Sequence, residues 1–327
     1  MKVIITGGGG FLGSQLANKI AKRGELTGHS GSPEPIEEII LLDAHFARPA
    51  ADPKIRQIQG NVSDRDTVFT LVEQTQSPSI FHLASMVSGE CEERYDDAIR
   101  VNLEGGQNIF EAARGLEGRP RVVFASSIAS FGGEGMPATQ TDQTKHTPQT
   151  TYGMTKAICE LMINDHTRKG HFDGRSARLP TVIIRPGKPN AAASSWASGM
   201  FREPLNGEAC ELPVRRTQQH PMTGYRTVID SFIELHEIPE DQLGQDRGYG
   251  LPAHRVTPEL AEKVITEVAT EKGFTLGPIN DAFDERIQGI VDNWPIDVDG
   301  DRAVKLGLPE PPPLRQIVED YLDDFAT

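Results

Sequence analysis

Short apolar runs alternate with amphipathic segments through the first half of this chain. MKVIIT is a buried-strand pattern, and FLGSQLANKIAKRG spaces its apolar residues as a helix does before ending in Gly24. The polar ELTGHSGSPEP reads as a loop. Further strands are predicted at IEEIILLD, IRQIQGN, SIFHLAS, RVVFASS and PTVIIRPG. Between them, helices are predicted at DRDTVFTLVEQTQ, YDDAIRVNLEGGQNIFEAARG and the segment that begins near Tyr152. This order implies β-α-β units with right-handed crossovers, and so an α/β fold with a doubly wound parallel sheet.

After Gly187 the alternation stops. KPNAAASSWASGMFREPLNG is irregular and rich in small residues, TVIDSFIELHEI and PELAEKVITEVATEKG read as helices, and PEPPP is a rigid turn before a last helix, LRQIVEDYLDDF. Residues 1–187 are therefore expected to form the sheet domain, with 226–252 returning to it, and 188–327 a smaller, mostly C-terminal substrate-binding region.

Composition narrows the function. The 327 residues carry a net charge of −14, which argues against nucleic acid as a partner, because phosphate backbones are held by clustered Lys and Arg. No apolar run reaches the roughly 18 residues of a membrane span, and no secretory signal pattern follows Met1. Cys91, Cys159 and Cys210 are scattered and form no pairing pattern, which fits buried thiols and a cytoplasmic location. DVDGDRAVKLGL begins like a calcium loop, but Arg302 and Leu308 stand where that loop needs Gly and Glu, so no metal is expected.

TGGGGFLG places Gly7, Gly10 and Gly13 between the first strand and the first helix. There, glycines permit a tight turn, close approach of a pyrophosphate to the backbone, and packing of helix on strand. Asp43 ends the second strand, where a carboxylate accepts from ribose hydroxyls and repels a 2′-phosphate, favouring NAD over NADP. In GNVSD, Asp64 reads as the N-terminal charge of the next helix. Tyr152 and Lys156 lie one helical turn apart, so an ammonium group can act on a phenol.

Taken in order, TGGGGFLG, Asp43, GNVSD, FHLAS, VNLEGG, FASSIASFGG, YGMTK and RPG resemble the extended short-chain dehydrogenase/reductase (NAD-dependent epimerase/dehydratase) family. The resemblance implies a Rossmann domain binding NAD through Gly7, Gly10, Phe11, Leu12, Gly13, Asp43, Asn61, Val62, Leu83, Ala84, Ser85, Tyr152, Lys156, Pro186 and Gly187. It also implies catalysis by Ser127, Tyr152 and Lys156, supported by Asn102. Asn61 departs from the family's usual Asp, and Gly106 from a common Thr. MVSGECEERYDDAIRVNLEGG, RLPTVIIRPGKPNAAASSWASGMFREPLNG and IVDNWPIDVDGDRAVKLGLP look most like the D-erythronate dehydrogenase branch, while QQHPMTGYRT departs from it.

The implied reaction is oxidation of the 2-hydroxyl of a short sugar acid, with a carboxylate contact expected from Ser88, Gly89, Lys188, Asn190, Ser194 or Ser195, beside Ser127. Ile128 and Ala129 stand where dehydratases carry an acidic pair, which disfavours loss of water. Nucleotide-sugar 4-epimerisation remains an alternative, with Arg215, Arg216 and Arg226 as possible diphosphate ligands; a non-catalytic dinucleotide sensor is a third. A homodimer is what the resemblance implies for assembly.

Overall fold

A computed structural model describes residues 1–75, 78–188 and 192–325. The strands β1 (Lys2–Thr6), β2 (Glu38–Asp43), β3 (Ile55–Gln59), β4 (Ser79–His82), β5 (Arg121–Ser127), β6 (Asp173–Leu179) and β7 (Gly248–Gly250) build one sheet. All are parallel, in the order β3-β2-β1-β4-β5-β6-β7. The direction of winding reverses between β1 and β4, and open α/β sheets place their ligands at the carboxyl ends beside such a reversal.

Both faces of the sheet are covered, because alternate residues of each strand point to opposite sides. Val3 and Ile5 of β1 pack with Leu16 and Ile20 of α1 (Phe11–Arg23), and with Val228 and Phe232 of the later helix Tyr225–Glu237. Ile4 packs on the other side with Val68 of α2 (Arg65–Glu73), Ile109 of α3 (Gly105–Arg114) and Ile163 of α4 (Thr151–Arg168). A separate core gathers Trp196, Met200 and Phe201 of α5 (Ser195–Leu205) with Met222, Val256, Ile265 and Ile317. Around it, Thr181–Ile183, His220–Gly224 and His254–Val256 form a three-stranded sheet. The chain then returns to the large sheet, through the helix Tyr225–Glu237 and β7, which pairs with β6.

Two elements differ from the sequence reading. ELTGHSGSPEP holds a short antiparallel hairpin, Glu25–Thr27 with Pro33–Pro35. PTVIIRPG is not the sixth strand of the large sheet: that place belongs to DGRSARL, while Thr181–Ile183 joins the small sheet. The two arginines disguised the strand as surface. Arg175 is fully buried and donates from Nη1 to the carbonyls of Leu235 (2.7 Å), His236 (2.8 Å) and Ile238 (2.8 Å), closing the C-terminal end of a helix. Arg178 points to the opposite face, where Nε and Nη2 reach Glu160 Oε2 at 2.9 and 2.8 Å, and Nη1 reaches Asp142 Oδ1 at 3.2 Å.

Glu160 also accepts from the Ser126 hydroxyl, and His146 Nε2 lies 3.4 Å from it. Burial pushes the Glu160 carboxyl up, but the Arg178 guanidinium and His146 together outweigh burial and hold it below its usual range. Asp142 in turn accepts from Gly250 N at 2.8 Å and Arg302 Nη1 at 3.2 Å. Removing one member strands the other charges in the interior. Arg178→Met is therefore expected to lower unfolding stability by about 3–5 kcal/mol in a urea titration; a loss below about 1 kcal/mol would refute the assignment.

Candidate active site

The glycine loop at the end of β1 is a built cradle. Gly7 has φ +73°, donates to Leu42 O at 2.9 Å, and a Cβ on it would come within 2.8 Å of Ala84 N. A Cβ on Gly13 would overlap the Gly7 carbonyl, so α1 can start only against a bare backbone. The helix begins after Gly10 with no side-chain cap and no acid in its first turn. By contrast, Asp64 caps α2 and Thr150 caps α4. An uncapped N-terminus beside an open cleft suits an anion such as a pyrophosphate.

Asp43 reaches back to this loop: its Oδ2 accepts from Gly9 N at 2.9 Å and its Oδ1 from His45 N at 3.1 Å. Asn61 is exposed, with its side chain accepting from Ser63 N at 3.0 Å, while Val62 is buried in the core. Leu83 N donates to Thr6 O at 3.1 Å and Ala84 N to Thr6 Oγ1 at 3.2 Å, setting the loop after β4 beside the cradle.

A cleft of about 340 Å³ joins Gly7, Gly10, Phe11, Leu12, Gly13, Leu83 and Ser85 to Ser127, Tyr152 and Lys156. Ser127 ends β5, and its Oγ accepts from Ala129 N at 3.2 Å, which caps the tight turn Ile128–Ser130. The first turn of α4 lies directly on that turn, since a Cβ on Gly153 would overlap Ala129 O. The glycine inside YGMTK is thus what lets Tyr152 come up to Ser127. Burial pushes the Tyr152 phenol up to about 12, against the lowering effect of its hydrogen bond with Ser127. Lys156 is 3% exposed; its Nζ donates to Ala125 O at 2.8 Å and lies 5.3 Å from the Tyr152 ring centroid. Burial pushes its ammonium down to about 8. The pair is thus desolvated, and each group is biased toward its neutral form.

Asn102 sits in a π-helical stretch, Ile99–Glu104, of the kind that recurs at functional sites. Its side chain holds the segment after β4: Oδ1 accepts from Met86 N at 2.7 Å, and Nδ2 donates to Met86 O at 3.2 Å and to Cys91 Sγ at 3.3 Å. It positions the segment that carries Met86, Val87 and Ser88 into the cleft.

Of the expected substrate contacts, Ser88, Ser194 and Ser195 line the cleft. Ser88 Oγ accepts from Ala193 N at 3.3 Å. Gly89 is not among the lining residues, Lys188 is exposed and outside the cleft, and Asn190 lies outside the described residues. Pro186 and Gly187 line a second cavity, with Asn206, Phe274 and Tyr321, rather than the cleft. The arginines read as possible diphosphate ligands are engaged elsewhere: Arg215 with Asp292, Arg216 with Glu262 and Asp281, Arg226 with Asp320 and Asp324. None of the three lines the cleft. QQHPMTGYRT lies one layer behind it, with His220 Nε2 2.6 Å from the Thr181 hydroxyl of the cleft wall. Sequence reasoning missed Thr181, Arg185 and Trp294 as lining residues. A lone cation closing the apolar run TVII was the available signal for Arg185.

A 3-2-1-4-5-6 parallel order, a glycine cradle at the reversal and a Tyr/Lys helix beside it define a Rossmann-type dinucleotide-binding protein. The chain belongs to the NAD dependent epimerase/dehydratase family, whose model matches residues 3–226. It is 37% identical to D-erythronate dehydrogenase of Cupriavidus necator, over 99% of this chain and 98% of that protein. It is also 37% identical to D-erythronate dehydrogenase of Haemophilus influenzae, over 99% of both chains. Among solved structures it resembles a nucleoside-diphosphate-sugar epimerase from Agrobacterium tumefaciens, with a TM-score of 0.90 and 35% identity over 99% of this chain and 94% of that one.

A lysine whose folded pKa lies near 8, below its ordinary 10.5, binds less proton than the unfolded chain between those values. Stability therefore rises with pH across that window, and below it the buried ammonium is a net cost. Lys156→Met is expected to raise stability at pH 7 by on the order of 1–3 kcal/mol. Thermal unfolding at pH 7 and pH 10 checks this; a variant less stable than the wild type at both would contradict it.

Proposed function

We propose that this protein is an NAD-dependent dehydrogenase that oxidises the 2-hydroxyl of a short, D-erythronate-like sugar acid to the keto acid. The observation that carries the reading is the single cleft that joins the glycine cradle to Ser127, Tyr152 and Lys156. The match to the two named relatives runs through the second core as well as the Rossmann part, which supports the same substrate class. Gly7, Gly10 and Gly13 would hold the pyrophosphate of NAD, and Asp43 its adenosine ribose. NAD supplies the hydride acceptor.

Tyr152 Oη takes the hydroxyl proton, and the Ser127 hydroxyl holds the substrate oxygen. A phenol near 12 is a weak base at neutral pH, so the protonated Lys156 must favour the phenolate. With a pKa of about 8, Lys156 keeps most of its charge at pH 7 and loses it as pH rises further. The reaction thus depends on a cation that the interior only just tolerates.

A nucleotide-sugar epimerase is the second reading, because the Agrobacterium structure bears that name. Against it, Arg215, Arg216 and Arg226 are already paired with carboxylates outside the cleft. NADH formation separates the two: a dehydrogenase accumulates it with four-carbon sugar acids, and an epimerase does not with nucleotide sugars. Tyr152→Phe is expected to lower kcat by about 10²–10⁴-fold with cofactor affinity retained, measured by steady-state kinetics and cofactor titration. Turnover at the wild-type rate would exclude Tyr152 as the base.

A further inference from the structure

Among the described residues, the charged ones lining the cleft are both cations, Lys156 and Arg185, although the chain as a whole carries a net charge of −14. Lys156 is committed to Ala125 O and faces Tyr152. Arg185 follows the strand Thr181–Ile183 and is half-buried. Its backbone is fastened at both ends: N donates to Ser198 Oγ at 3.3 Å, and O accepts from Arg202 Nη1 at 2.9 Å. Among the described residues its guanidinium has no ion pair, unlike Arg175, Arg178, Arg202 and Arg247, which pair with Asp or Glu.

A half-buried guanidinium without an anion is costly, and burial together with the Arg202 charge lowers its pKa. A guanidinium that lines the cleft without an anion calls for a ligand that only accepts, which is what an ionised carboxylate is.

We propose that Arg185 is the anchor for the substrate carboxylate, and that it makes the cleft select acids over neutral polyols. This assignment rests on the sugar-acid reading above and gives that acid its site. None of the residues proposed from sequence as carboxylate donors offers a free cation inside the cleft. Arg185 does, with a planar fork suited to bidentate contact.

The test compares wild type, Arg185→Gln and Arg185→Lys with D-erythronate and with the neutral polyol erythritol. Arg185→Gln is expected to raise KM for the acid about 10–100-fold while kcat changes less than about threefold. The dissociation constant for NAD, measured by calorimetry, is expected to stay unchanged, and discrimination against erythritol to collapse. Arg185→Lys should recover part of the lost affinity, and it decides the matter if the glutamine variant unfolds early in a thermal melt. An unchanged KM in a folded variant, or an equal loss of NAD affinity, would overturn the proposal. Should wild type form no NADH from any sugar acid, the dehydrogenase reading fails on its own. Titrating D-erythronate into NAD-loaded wild type and Arg185→Gln then settles the anchor separately. Binding that depends on Arg185 upholds it, and binding that does not, or no binding, overturns it.

Discussion

The buried contact between Glu160 and Arg178 is the constraint around which the cleft end of β5 and α4 is arranged. Both side chains are about 3% exposed, so each has lost its hydration, and that loss is recovered only in one geometry. Glu160 is one turn along α4 from Lys156, and it holds Ser126, the residue before Ser127, by the hydroxyl. Arg178 carries the constraint to β6, and Asp142 carries it on to β7 and Arg302. A shift of α4 along β5 would break this contact. At the other end, the carbonyl of Ala129 meets the bare backbone of Gly153, so the helix is fixed at two heights. The position of Tyr152 against Ser127 is thereby set by the Glu160–Arg178 contact and by the meeting of Ala129 with Gly153.

That rigidity has an electrostatic counterpart. The interior that holds Lys156 and Tyr152 disfavours the charged form of each, and the pair is only 5.3 Å apart from ammonium to ring. Charges so placed act on one another with little screening. Holding both groups there is a cost to stability.

Elements whose chemistry is written in backbone or in apolar pattern were legible in the sequence. The strand MKVIIT, the glycine loop, the carboxylate at Asp43 and the helix carrying Tyr152 all lie where their local patterns put them. What escaped was polar and buried. β6 reads as surface because Arg175 and Arg178 interrupt it, and only a partner far along the chain, such as Leu235 or Glu160, makes an arginine a core residue. The substrate side of the cleft was half legible for the same reason. Ser88, Ser194 and Ser195 are on its wall, yet Arg185 and Trp294 reach it through the way the small sheet and α5 pack, which no local pattern encodes.

The order in which the chain visits its two cores bears on how it must fold. One face of the large sheet, around Phe81 and Val123, is covered by Val228, Ile229 and Phe232, and its edge is completed by β7 at Gly248–Gly250. Both elements lie beyond the strand Thr181–Ile183 and α5, which belong to the other core. A chain emerging from the ribosome would thus present the nucleotide-binding half with a bare apolar flank until about residue 250 had appeared. The covering helix Tyr225–Glu237 and the edge strand β7 thus tie the large sheet to parts of the chain that follow the second core's first elements.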